Sequence, residues 1–164
     1  MKRPFAVLIL ALFPSVWPGT AGCAETLPLR LTGGWVQAVP PSAAASVAFV
    51  RIANATGETF ELAGARTGLA ETVETMVTTR DAKGMSGMKS VPALTIPAHG
   101  ELVLQPGGDH LMLMNLRRHP NPGEKVTLTL IINPGHQEME ATLPVLRQAP
   151  KPNDNANEHN PEHR

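Results

Sequence analysis

The chain has 164 residues, with 14 basic and 14 acidic side chains, six histidines and one cysteine. Nucleic-acid-binding proteins concentrate positive charge on one face, so this balance gives no support to a nucleic-acid partner. The single cysteine, Cys23, lies near the N-terminus. A domain formed by the rest of the chain therefore has no disulfide, no thiolate zinc site and no nucleophilic thiol.

Residues 1–24 have the pattern of a secretory signal peptide. Lys2 and Arg3 precede an apolar run over residues 5–17, and small residues follow up to Ala24. The run is too short for a permanent membrane span, and nothing downstream approaches the roughly 20 apolar residues that a span needs. We expect export to the periplasm with cleavage after Ala24, and lipid attachment at Cys23 is the alternative.

Residues 25–148 are predicted to form one all-β domain. Apolar and polar residues alternate over residues 101–104, 110–114 and 126–131, while residues 46–53 are rich in β-forming residues. Turn signals recur at intervals of roughly 8 to 12 residues, which is typical of a sandwich or small barrel. We expect seven or eight short strands, no second domain and a monomeric protein.

Residues 149–164 are rich in proline, asparagine and charged residues and lack the apolar side chains that a packed core needs. This composition predicts a disordered tail. Its two histidines, His159 and His163, could bind copper(II) through their imidazole nitrogens. They are a candidate for a second site, weaker than the one formed by the methionines and His110 that is described next.

Methionines cluster in two hairpin regions, with His110 beside them. The clustered methionines are Met76, Met85, Met88, Met112 and Met114. Thioether sulfur is a soft, uncharged donor that favours copper(I), and imidazole also binds copper. The cluster therefore indicates a copper site.

The segment 110–114 has a spacing suited to such a site. Residues two apart in a strand share a face, so His110, Met112 and Met114 point one way while the leucines between them point into the core. The structural alternative is that the methionines are core filler and His110 is an exposed turn residue.

These residues resemble the periplasmic copper chaperones called PCuAC. In that family a methionine is followed by 21 residues and then His-X-Met, and here Met88 is followed by 21 residues and then His110-Leu111-Met112. The segments 94–98 and 106–114 carry the resemblance further. The resemblance implies a cupredoxin-like Greek-key β-sandwich.

The resemblance also implies a copper(I) site formed by Met76, Met88, His110 and Met112, with Met85 and Met114 as auxiliary residues. The family's first ligand is a histidine or a methionine, and here Met76 would take the place of the histidine. Eleven residues separate it from Met88 instead of the usual ten.

The function implied is that of a copper(I)-binding chaperone, not an enzyme. Family members deliver copper toward the binuclear copper centre of cytochrome c oxidase, so the implied partners are copper donor or acceptor proteins of that assembly pathway. A blue-copper electron carrier would need a cysteine ligand, which the domain lacks. The alternatives are a periplasmic protein-interaction module and a copper scavenger for resistance.

Overall fold

The computed structural model describes residues 28–80 and 84–150. These residues form ten β-strands and contain no helix. The strands are β1 (Leu29–Gln37), β2 (Ala45–Asn54), β3 (Phe60–Thr67), β4 (Ala70–Arg80), β5 (Ser86–Val91), β6 (Leu94–Ile96), β7 (Glu101–Val103), β8 (His110–Leu116), β9 (Lys125–Asn133) and β10 (Gln137–Leu146). The predicted number of seven or eight strands was too low. Alternation over residues 101–104 did indicate β7, whereas the three-residue β6 holds too little local pattern to be separated from β5.

The strands form two packed layers. The first layer has the order β5-β4-β8-β2-β1, with β7 also pairing with β2, and the second has the order β10-β9-β3-β6. A short parallel pairing of β1 with β10, at Val36 opposite Val145, joins the two layers. The architecture confirms the predicted all-β sandwich.

The core lies between the layers because apolar residues alternate along the strands. In β9, Val126, Leu128, Leu130 and Ile132 are all buried, while the residues between them are not. Removal of such side chains from water is the main force that holds two sheets face to face.

Gly34 allows β1 to pass close to both layers. A Cβ atom at this position would lie 2.7 Å from the Phe49 carbonyl oxygen and 2.8 Å from Leu143 Cδ2. Both distances are shorter than van der Waals contact, so the packing of β1 requires glycine here.

Residues 1–24, including Cys23, and the tail histidines His159 and His163 lie outside the described residues. Among the residues described, no helix has the length and apolar character needed to span a membrane.

Candidate metal centre

The candidate ligands lie on the outer face of the first layer. In β8, Leu111 and Leu113 are fully buried in the core, so His110, Met112 and Met114 point to the opposite face. The predicted alternation in this segment is therefore confirmed. The outer face of β8 is the floor of the candidate site.

Met76 lies directly opposite His110 in the pairing of β4 with β8. Side chains at directly opposed positions of an antiparallel pair share a face, with Cβ atoms about 5 Å apart. The neighbouring Val77, which has the ten-residue spacing from Met88, instead packs against the core. The geometry thus brings Met76, and not Val77, to the side of His110.

Met88 and Met112 flank this central pair diagonally. Met112 follows His110 by two residues on the same strand, and Met88 on β5 lies opposite Thr78, two residues beyond Met76. Met88 and His110 also line one concavity of about 360 Å³. Met88 is 65% exposed, so its flexible side chain is able to turn toward His110.

A hydrogen bond to a backbone carbonyl determines which nitrogen of the His110 ring carries the proton. Its Nδ1 lies 2.9 Å from the carbonyl oxygen of Gly108. Because a carbonyl oxygen only accepts, Nδ1 carries the proton, and in the neutral ring Nε2 keeps its lone pair. This is the arrangement in which histidine binds a metal ion through Nε2.

The same carbonyl has a second donor that the sequence analysis missed. The hydroxyl of Thr78 donates to Gly108 O at 2.7 Å, and the backbone N–H of Thr78 donates to the Asp109 carboxylate at 3.1 Å. Asp109 therefore ties the 105–109 turn to the end of β4. The sequence held only a weak indication of this role for Thr78. Thr78 lies two residues beyond Met76 and therefore on the same face of β4.

Aromatic rings flank His110 on the side away from Met76. The Phe49 ring centroid lies 6.4 Å from that of His110, and Trp35 packs against Phe49 at 4.8 Å. Both aromatic residues are buried although they lie on the outer face. They give the imidazole an apolar wall, which restricts its movement and its contact with water.

The two auxiliary methionines have different surroundings. Met114 is on the same face, opposite Thr72, but four residues beyond His110. At about 3.3 Å per residue its Cα lies roughly 13 Å along the strand from that of His110. Met85 precedes β5 and is 69% exposed.

The donor groups of this face are soft. Across residues 28–80 and 84–150, no group of three or more histidine, cysteine, aspartate or glutamate residues has a metal-binding arrangement. The face instead combines one imidazole with thioethers, and the exposed carboxylate of Glu74 lies opposite Met112. Fold and site together define a small β-sandwich protein with a site that combines a buried imidazole, at 7% exposure, with thioethers.

Comparisons with known proteins agree with this class. The family described as "Putative lipoprotein LpqE-like" matches residues 29–145. A protein of Leifsonia xyli subsp. xyli named "Putative lipoprotein Lxx21020" is 30% identical over 149 residues, covering 82% of this chain and 87% of that protein. This chain belongs to the LpqE-like family, which is the PCuAC type of domain.

Solved structures share the fold. Copper(I)-bound DR1885 from Deinococcus radiodurans is 40% identical, with a TM-score of 0.60, covering 76% of this chain and 82% of that one. Its apo form is 36% identical, with a TM-score of 0.59, covering 90% and 96%. The copper-bound PCuAC domain from PmoF2 has a TM-score of 0.61 at 16% identity, covering 74% and 94%. The predicted cupredoxin-like sandwich is thus confirmed.

Proposed function

We propose that this protein binds one copper(I) ion through Met76, Met88, His110 and Met112 and acts as a copper chaperone. The observation that carries the proposal is the register of β4 and β8, in which Met76 faces His110. Met88 and Met112 lie diagonally on either side of that pair, and the His110 Nε2 lone pair is free.

The donor set accounts for the choice of metal. Three thioethers and one neutral imidazole carry no charge and are soft, which favours copper(I) over zinc and copper(II). DR1885, which is 40% identical, has been solved with copper(I) bound. That likeness supports copper(I) as the ion held here.

Exposure of the site supports transfer of the ion to another protein. Met88 is 65% exposed on β5, at the edge of the first layer, and the concavity that Met88 and His110 line opens to solvent. An incoming thiolate or thioether is able to replace Met88 while His110 and Met76 still hold the ion. We infer that the recipients belong to the assembly pathway of the cytochrome oxidase binuclear copper centre, as the family resemblance implies.

The compartment proposed is outside the cytoplasm. Residues 1–24 have a signal-peptide pattern, and both the matching family and the Leifsonia relative carry the word lipoprotein in their names. These names support lipid attachment at Cys23 as the alternative to cleavage after Ala24. In either case the copper-binding domain would begin soon after the processing point.

Anaerobic titration of the mature protein with copper(I), against a chromophoric chelator, tests the proposal. We expect one ion per chain, with weaker binding after His110→Ala or Met112→Ala and unchanged binding after Met139→Ala. Met139 is the matched control because it lies on β10 of the second layer. Negligible binding by the unmodified protein would contradict the proposal and favour a protein-interaction module.

A further inference from the structure

Two side chains meet at one backbone carbonyl beside the candidate ligand. Gly108 O accepts a hydrogen bond from the Thr78 hydroxyl at 2.7 Å and another from His110 Nδ1 at 2.9 Å. A carbonyl oxygen has two lone pairs, so these two bonds use its full accepting capacity. The orientation of the His110 ring is therefore linked to a side chain on the neighbouring strand.

The carbonyl needs an anchor because its peptide lies in a glycine turn. Gly107 has a φ of 77°, in the left-handed region, and Gly108 follows it directly. Glycine residues restrict the backbone least, so the orientation of the Gly108 carbonyl depends on its neighbours, of which Asp109 accepts from the Thr78 N–H. The turn is closed by Gly108 N–H donating to Gln105 O at 3.0 Å, and Thr78 adds the tie to β4.

We propose that Thr78 is a positioning residue for His110. Its hydroxyl holds the Gly108 carbonyl in the orientation that accepts the Nδ1 proton, which leaves Nε2 unprotonated and directed at the metal site. Without this hydroxyl the carbonyl loses one of its two donors, only the Asp109 bond to the Thr78 N–H still ties the turn to β4, and the imidazole populates both neutral tautomers. In the tautomer with a proton on Nε2, that nitrogen has no lone pair for copper.

The consequence for copper rests on the function proposed above, whereas the tautomer is a property of the copper-free protein. Loss of an outer-shell partner of a ligating histidine typically lowers metal affinity by about 10- to 100-fold. We expect the loss of copper affinity in Thr78→Val to be near tenfold, the lower end of this range. The Phe49 ring and the Asp109 bond to the Thr78 N–H still restrain the site in that variant.

Thr79 supplies a matched control. Its hydroxyl also donates to a backbone carbonyl, that of Gly87 at 3.3 Å, but this bond links β4 to β5 and does not involve His110. Thr78→Ser retains a hydroxyl and should restore the wild-type behaviour. Thr78→Val and Thr79→Val thus remove similar groups from neighbouring positions with different expected results.

The experiment records long-range ¹H–¹⁵N correlations of the imidazole groups in copper-free protein, at mildly alkaline pH where histidine is neutral. His110 should show the Nδ1–H tautomer in the wild-type protein, Thr78→Ser and Thr79→Val, and a mixture in Thr78→Val. Copper(I) affinity, measured by chelator competition, should fall about tenfold in Thr78→Val alone.

An Nε2–H tautomer in the wild-type protein would overturn the inference, as would an unchanged tautomer in Thr78→Val or equal behaviour of the Ser and Val variants. Wild-type protein that shows the expected tautomers and binds no copper(I) would instead contradict the proposed function. Circular dichroism checks folding, and Thr78→Ala replaces the valine variant if that variant does not fold.

Discussion

Replacement of Met88 by alanine should strongly weaken copper binding with little effect on folding. Met88 is 65% exposed, so only about a third of its side chain leaves water when the protein folds. Full burial of a methionine contributes about 1.5 to 3 kcal/mol, so the truncation should cost about 0.5 to 1 kcal/mol of unfolding free energy. Loss of a copper ligand should lower the unfolding free energy of the copper-bound protein far more than that of the copper-free protein.

Urea unfolding with and without copper(I) measures both effects. At a free copper(I) concentration 100 times the wild-type Kd, binding stabilises the folded state by about 2.7 kcal/mol. If Met88→Ala weakens binding 100-fold, the ratio of copper to Kd falls to about 1 and the stabilisation falls to about 0.4 kcal/mol. Such a difference is readily resolved from the small change in the copper-free protein.

Met139→Ala should give the reverse pattern. Met139 is half-buried against the core on β10, away from the outer face that holds the candidate ligands. Its truncation should cost about 1 to 2 kcal/mol in the copper-free protein, below the range of about 2 to 5 for a fully buried methionine. Copper(I) should still stabilise this variant by the wild-type amount. Equal copper stabilisation of the Met88 and Met139 variants would refute the assignment of Met88.

Two further substitutions test charge and packing. Glu74 is exposed and lies opposite Met112. For an ion held about 7 Å from this carboxylate, the attraction in water would be about 0.6 kcal/mol. Glu74→Gln should therefore weaken copper(I) binding about threefold at low salt, and less at high salt. Glu61→Gln, on the second layer, should leave the affinity unchanged, and an equal loss in both variants would contradict a local effect. Gly34→Ala should destabilise the protein by about 1 to 3 kcal/mol in urea unfolding, because its Cβ would lie 2.7 Å from a carbonyl oxygen. Gly33→Ala, with nothing within 4 Å of its Cβ, should change stability by less than about 0.5 kcal/mol, and similar costs at both positions would contradict the packing argument.

Much of the fold was predictable because the strands alternate clearly. In segment 110–114, the leucines enter the core and the other three side chains share the outer face, as period-two alternation requires. The strand count was less predictable. β6 is defined by its pairing with β3, which is distant in sequence, and three residues hold too little local pattern.

The candidate ligands were selected by residue type and by the resemblance to PCuAC, but their arrangement depends on strand register. The pairing of Met76 with His110 joins residues 34 positions apart, and no local signal specifies it. The same limit applies to Thr78 and to the Gly108 carbonyl, whose roles appear only once the 105–109 turn packs against the end of β4. Phe49 next to His110 is likewise a contact across strands.

X-ray absorption at the copper edge, recorded on the anaerobic copper(I) complex, examines the proposed ligand set itself. We expect a first shell with mostly sulfur neighbours and one nitrogen neighbour, with loss of the nitrogen contribution in His110→Ala and a reduced sulfur contribution in Met88→Ala. Met139→Ala should leave the spectrum unchanged. A first shell of nitrogen and oxygen alone, or one unaffected by both ligand substitutions, would contradict a copper(I) site at Met76, Met88, His110 and Met112.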